Sequence, residues 1–239
     1  TPTLTIGNGN GSSTFTGVIQ NTAGTLALVK TGTGTLTLQG ANTFVGGVTI
    51  KNGTLESKTT TTTLGTGTVV MGGSGSSGAT FITGQGNTNA FTINAPDSGT
   101  NIIGANGTGS GFTLSGPVTL NGDLVLQNYT NATNNNKTVA NLTGGVTGTG
   151  NLLLNNLGVN TNTITLSGNP INPTGSITAQ GASIGSTTIS AVIGANVTGV
   201  TQNSATCPLI LSATNAYTGP TTVNAGTLVI KVASLAASS

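Results

Sequence analysis

The sequence has no histidine, no arginine and no tryptophan, and it carries a single cysteine, Cys207, in 239 residues. Without histidine, Ser-His-Asp and Cys-His catalysis are excluded. Without arginine, five scattered lysines cannot form the cationic patch that nucleic acid requires. The only acids are Glu56, Asp97 and Asp123. A glycosidase of the usual kind needs two carboxylates flanking the scissile bond. Asp97 lies in Pro96-Asp97-Ser98-Gly99 and Asp123 follows Asn121-Gly122, so both read as turn residues. A polysaccharide lyase would need arginine or lysine beside an acid cluster, which is also missing. Zinc needs sets of Cys, His or carboxylate, and calcium needs clustered oxygen ligands. Gly32-Thr33-Gly34 and Gly107-Thr108-Gly109 lack the Lys-Ser/Thr of a phosphate loop. The expectation is a protein with no enzymatic activity, no cofactor and no metal.

Other absences bound the setting. One cysteine excludes an intramolecular disulfide. Cys207 reads as a small buried hydrophobe, with an intermolecular bridge as the alternative. No run approaches 18 apolar residues, so no membrane-spanning helix is expected. The chain begins at Thr1, which reads as a processed or excised piece with no signal peptide left to see. Charged residues are 3% of the chain and the formal net charge is +2. Little electrostatic repulsion opposes association, so the surface is expected to tolerate or seek it. With so few titratable groups, stability should be nearly flat between about pH 3 and 9.

What is present is glycine, threonine and asparagine, with 39 Gly. Disorder usually joins low hydrophobicity to high net charge. Here the mean hydropathy is +0.19 and the apolar residues are patterned. Threonine, valine and isoleucine favour strands, and glycine and asparagine favour turns, so the class is all-β. Period-two alternation marks half-buried strands at Leu4/Ile6, Leu26/Leu28, Leu36/Leu38, Val48/Ile50 and Phe112/Leu114. Short apolar steps at Phe81-Ile82, Phe91-Ile93 and Ile102-Ile103 continue this through the glycine-rich middle. Short strands with Gly or Asn corners fit both a hairpin meander and a β-solenoid. The solenoid requires each coil to bury its face on the next.

One stretch recurs. Residues 30–55 read KTGTGTLTLQGANTFVGGVTIKNGTL, and residues 207–230 read CPLILSATNAYTGPTTVNAGTLVI. Asn42 aligns with Asn215, Phe44 with Tyr217, Gly53 with Gly226 and Leu55 with Leu228, every pair 173 residues apart (215 less 42, 228 less 55). Register held through a corner, an aromatic and a glycine marks a structural unit. The spacing leaves two meanings open: a large period with an insertion-bearing middle, or two copies near the ends where a next subunit docks.

This motif resembles the autotransporter-associated β-strand repeat, also called the passenger-associated transport repeat. Its pattern is approximately G-x-G-T-L-x-L-x-G-x-N-T-[YF]-x-G-x-T-x-[IV]-x-x-G-T-L. The first copy fits at Gly32, Gly34, Leu36, Leu38, Gly40, Asn42, Phe44, Gly53 and Leu55. The second fits at Leu209, Leu211, Asn215, Tyr217, Gly219, Gly226 and Leu228. The second copy departs from the pattern at Cys207-Pro208 and Ala213, and the first at Val48. The resemblance implies a right-handed parallel β-helix exported to the bacterial cell surface, and it brings no catalytic residues. At roughly 20–25 residues per coil the chain would make about ten coils in one domain, a rod near 50 Å long. A polar insertion is expected near 127–145, with a loop tip at Asn134-Asn135-Asn136, and a weakly patterned tail at 233–239.

Three functions are compatible with this reading. The first is a structural block of an extracellular filament, stalk or sheath that self-associates by strand addition at open ends. It would be a homo-oligomer or homopolymer. The second is an adhesin or passenger stalk whose loops bind a surface or glycan, with Tyr129 to Lys137 as the candidate loop. The third is ice binding by threonine arrays such as Thr31, Thr33, Thr35 and Thr37. N-x-S/T triplets are dense at Asn128, Asn131, Asn136 and Asn141, which are glycosylation candidates.

Overall fold

The computed structural model describes residues 1–22, 24–58, 64–105, 111–128, 139–157 and 161–231. Within these the chain is all-β, with every strand pair parallel. It winds as a β-solenoid with three faces, and successive circuits stack as rungs.

The first rung holds β1 (Thr3–Ile6) and β2 (Ser13–Phe15), and the second β3 (Ala27–Lys30) and β4 (Thr35–Leu38). The third holds β5 (Val48–Ile50) and β6 (Asn52–Ser57), and the fourth β7 (Val69–Met71) and β8 (Gly78–Thr83). Three rungs of three strands follow: β9 (Phe91–Asn94), β10 (Asn101–Ala105) and β11 (Gly111–Leu114); then β12 (Val118–Asn121), β13 (Leu124–Asn128) and β14 (Val139–Leu142); then β15 (Val146–Gly148), β16 (Leu152–Asn156) and β17 (Thr163–Leu166). The last three rungs have two strands each: β18 (Gly175–Gln180) and β19 (Thr187–Ile189), β20 (Val197–Asn203) and β21 (Leu209–Leu211), and β22 (Thr221–Ala225) and β23 (Leu228–Ile230).

The first face is the seven-stranded sheet from β1 to β15, the second the ten-stranded sheet from β2 to β22, and the third the six-stranded sheet from β11 to β23. The ten strands of the second face count ten rungs, in line with the ten coils expected. Only this face runs the whole length. Early rungs cross the third face without a regular strand, through buried Ile19, Phe44 and Leu64. Late rungs cross the first face through Ile171, Ile193 and Tyr217, with Val146, Ile171 and Ile193 joined by single bridges.

The core is built from columns, because equal rungs place like positions above one another. Leu4, Leu28, Val48, Val69, Phe91, Val118 and Val146 stack in register on the first face. Leu36, Leu55, Phe81, Ile103, Leu126 and Leu154 do so on the second. Each strand alone leaves its apolar side open, and stacking makes one continuous core. Parallel pairing also explains the near-absence of hairpins, since a parallel neighbour needs a full circuit of chain to reach. That decides between meander and solenoid.

Part of the expected insertion belongs to the rungs. Gln127 and Asn128 end β13, and Val139–Leu142 form β14. Residues 129–138, with Asn131, Asn134–Asn136 and the Tyr129–Lys137 candidate loop, lie outside the described residues, as do the threonine run at 59–63 and the tail from 232.

Candidate functional site

The motif residues do the same jobs in both copies. In the first, the backbone N–H of Ile19 donates to Asn42 Oδ1 at 2.6 Å, and the Thr43 N–H donates to the Ile19 carbonyl at 3.0 Å. In the second, the Ile193 N–H donates to Asn215 Oδ1 at 3.0 Å and the Ala216 N–H to the Ile193 carbonyl at 2.8 Å. The asparagine thus clamps its strandless corner to the rung before. Phe44 and Tyr217, two residues on, are both 0% exposed and fill the corner core. The Tyr217 hydroxyl, unlike phenylalanine, has a partner, Thr221 Oγ1 at 2.7 Å.

Gly53 and Gly226 have φ +67° and +73°, a left-handed bend that L side chains rarely adopt. Gly219 presses on the Thr198 carbonyl as Gly46 does on that of Leu26, too close for a Cβ. Gly32 and Gly34 make the turn into β4, and Gly40 leaves it. Leu36, Leu38, Leu55, Leu209 and Leu211 are buried inward residues; Leu228, on the last rung, is half-buried.

The two copies lie on different faces. The first begins on the second face at β4, crosses the third at Phe44, takes the first at β5 and returns to the second at β6. The second copy begins on the third face at β21, crosses the first at Tyr217, takes the second at β22 and ends on the third at β23. They are separated by seven rungs and one face, so 173 residues is not a whole number of circuits. A simple large period is thereby ruled out, and the copies occupy the second and third and the ninth and tenth rungs.

The passenger-associated-transport-repeat family model matches residues 28–56 and 209–230. The chain carries two passenger-associated transport repeats. No curated protein and no solved structure matches it. The two matches cover the corner clamps and their flanking strands, and the rungs between keep the solenoid without the motif.

The end rungs are unlike the rest. Leu4, Phe15 and Val18 on the first rung are 38%, 41% and 51% exposed, and Val223 and Ile230 on the last are 50% and 39% exposed. Leu4, Phe15, Val223 and Ile230 sit in inward columns whose other members are buried, with no neighbouring rung on the outer side among the described residues, and Val18 lies at the first rung's corner. The outer edges of β1, β2, β22 and β23 pair with no further strand among the described residues.

The ionisable groups are dispersed. Asp97 accepts the Gly75 N–H at 2.8 Å and Asp123 the Asn151 N–H at 2.8 Å, each fastening one rung's turn to that of a neighbour. Glu56 takes the Thr37 hydroxyl at 2.9 Å and lies 3.8 Å from Lys58. Among the described residues no three His, Cys, Asp or Glu side chains gather as metal ligands. No helix of the described residues is long and apolar enough to cross a membrane.

Sequence reasoning missed Lys30. It stands in an apolar column between Ile6 and Ile50, buried, with Nζ donating to the carbonyls of Thr31, Gly32 and Asn52 at 2.5, 2.8 and 3.2 Å. Burial without a carboxylate lowers its pKa from the usual 10.5. Alternation signals this position, since Leu28 and Lys30 share parity, but a lysine there reads as a strand end.

Cys207 is buried, as expected, but in a polar setting. Asn156 Nδ2 donates to its Sγ at 3.3 Å and Thr187 Oγ1 lies 3.6 Å away. Ser57, Thr83, Asn128 and Asn156 share the inward column at the end of the second face, all fully buried. The Asn128 amide donates to the Thr163 carbonyl at 3.1 Å, so a glycan on Asn128 does not fit this fold. Asn141 faces outward on β14, half-buried, and accepts from Ser167 Oγ at 3.4 Å. The threonine array is not a free hydroxyl face: Thr31 bonds Asn8, and Thr37 is buried against Glu56.

Proposed function

We propose that this chain is a non-catalytic structural block of a bacterial surface, a length of rod in an extracellular filament, stalk or sheath that self-associates by strand addition at its ends. The observation that supports this reading is the stacking itself: throughout the described residues each rung binds the next by apolar columns and parallel strand edges, a contact that a second copy can repeat. A heterologous end-to-end contact that does not close makes a filament. The scarcity of charge supports it, since like-charged ends would repel. The transport repeats support a secreted or surface-exposed setting.

Negative-stain microscopy and sedimentation of the purified chain test it. Uniform fibres one solenoid wide are expected. Phe15→Lys and Ile230→Lys, on opposite ends, should each abolish them while leaving the circular dichroism unchanged. A concentration-independent monomer would overturn the reading.

A second reading, an adhesin stalk that binds a glycan, is favoured by one observation. A groove of about 570 Å³ runs outside the corner between the first and second faces, lined by Asp123, Asn151, Ser176 and Leu153 among others. Glycan-array binding that Ser176→Leu removes would support it.

A further inference from the structure

The outer side of the second face carries one interruption. Its first outward column is threonine on the second to fourth rungs, at Thr35, Thr54 and Thr80. It is threonine again on the eighth to tenth, at Thr178, Thr201 and Thr222. Between them, on the fifth to seventh, stand Ile102, Val125 and Leu153. These three point away from the core, so the packing of the rungs does not require them to be apolar. Val125 and Leu153 line the groove of about 570 Å³ outside the corner of the first and second faces. Val125, although outward, is only 9% exposed.

The rim beside this apolar floor is polar. Asp123, Asn151 and Ser176 stand on successive rungs. The Asn151 N–H donates to Asp123 Oδ1 at 2.8 Å, and Asn151 Nδ2 reaches Oδ1 and Oδ2 at 3.1 and 3.2 Å. The Ser176 N–H and hydroxyl both donate to Asn151 Oδ1 at 2.9 Å. This ladder holds the Asp123 carboxylate in place two residues from Val125. A carboxylate has about four lone-pair positions, so exposed Asp123 keeps acceptor capacity for a ligand. It is the one ionisable side chain among the residues that line the groove.

We propose that this groove binds a neutral glycan bearing acetamido groups, with an amide N–H donated to Asp123 and the acetyl methyl seated on Val125 and Leu153. This rests on the glycan-binding reading above and names its ligand class.

Three arguments select that chemistry. In a secondary amide the N–H lies anti to the C=O, so it projects from the same edge as the acetyl methyl. An acceptor next to an apolar floor meets both at once, and a donor to a carboxylate makes the stronger kind of hydrogen bond. Next, a lone carboxylate with no cation beside it repels acidic sugars. Lastly, the groove offers a peptide little. A peptide that joins a sheet bonds to an open strand edge. Here β10, β13, β16 and β18 are each paired on both sides. Side chains must therefore read the ligand, and Thr100, Ser176 and Thr178 bring hydroxyls to the same groove. Rungs about 4.8 Å apart let a glycan laid along the rod meet one after another.

Calorimetric titration of the unsubstituted chain tests this with three tetrasaccharides. Chitotetraose carries acetamido groups, cellotetraose has hydroxyls in their place, and tetragalacturonate is acidic. Chitotetraose should bind about tenfold or more tighter than cellotetraose, the discrimination that a small apolar group gives. Tetragalacturonate should be the weakest. Val125→Thr with Leu153→Thr, which returns the column to the residue of its other rungs, should erase the preference for chitotetraose with the circular dichroism unchanged. Cellotetraose or tetragalacturonate binding as tightly as chitotetraose overturns the acetamido assignment and leaves the glycan reading standing. A preference that survives in the double variant overturns the assignment to this groove. Failure of chitotetraose while other glycans bind on an array overturns this proposal alone, and an array with no binding at all overturns both.

Discussion

The first motif copy spans the second and third rungs, and the second spans the ninth and tenth, the last of those described. The same clamp, the same buried aromatic and the same left-handed glycine occur in both. Yet Leu55 is covered by the rung carrying Phe81, whereas its counterpart Leu228 is half-exposed. The faces differ too: the first copy uses β4, β5 and β6 around one corner, the second β21, β22 and β23 around another. The motif therefore specifies a corner and its two flanking strands, not a face. Which face it takes is set by how many residues the intervening rungs consume, and those range from two strands to three per circuit.

Paired substitutions can break or sharpen this comparison. The largest effect should come from the corner aromatics. Phe44→Ala and Tyr217→Ala should each cost about 3–5 kcal/mol, the range for deleting a buried aromatic. Denaturant midpoints should fall alike for the two; a much smaller loss at Tyr217 would mean that its corner is not equivalent. Next, Leu55→Ala should cost about 2–5 kcal/mol as an enclosed core deletion. Leu228→Ala should cost about 1 kcal/mol in the monomer, since part of its surface already meets water. In assembled fibres the Leu228 penalty should rise towards that of Leu55, measured as the shift in disassembly midpoint.

The clamps come third. Asn42→Ala and Asn215→Ala each leave a buried backbone N–H unpaired, at about 1–3 kcal/mol. Equal losses, with hydrogen exchange speeding first at Ile19 and Ile193, would confirm the shared role.

The smallest effect separates the copies by charge. Only the first has a buried lysine on its lead-in strand; position 203 in the second is Asn203. The folded pKa of Lys30 is lowered, so between that value and 10.5 the unfolded chain binds more protons. Stability should rise as pH increases through the folded pKa and level off above the unfolded one. Lys30→Met should flatten that alkaline rise in thermal melts across the pH series, and a rise that persists would assign it elsewhere.

Much of the fold was legible in the residues. Leu36/Leu38 and Val48/Ile50 alternate with threonine, and each pair points inward as its parity predicts. The repeat at Asn42 and Asn215 located both corners. Less legible were positions whose burial depends on a neighbouring rung. Lys30 looks like an ordinary strand-end charge until Ile6 and Ile50 are stacked on either side of it. Asn128 looked like part of an exposed polar loop, yet its rung carries it under the third face towards Thr163, thirty-five residues away. The candidate site was the least legible part, because exposure of Phe15 or Val223 follows from which rung is last, not from local pattern.

The sequence by itself determined that the chain is β-rich, nearly free of charge and built from a clamped corner repeated twice, because alternation, glycine conformations and asparagine caps act over a few residues. Only the tertiary structure decided that the repeat falls on different faces at the two ends. Each rung may span a different number of residues, and face phase is the running total of all of them. It is a sum over the whole solenoid, and no single motif carries it.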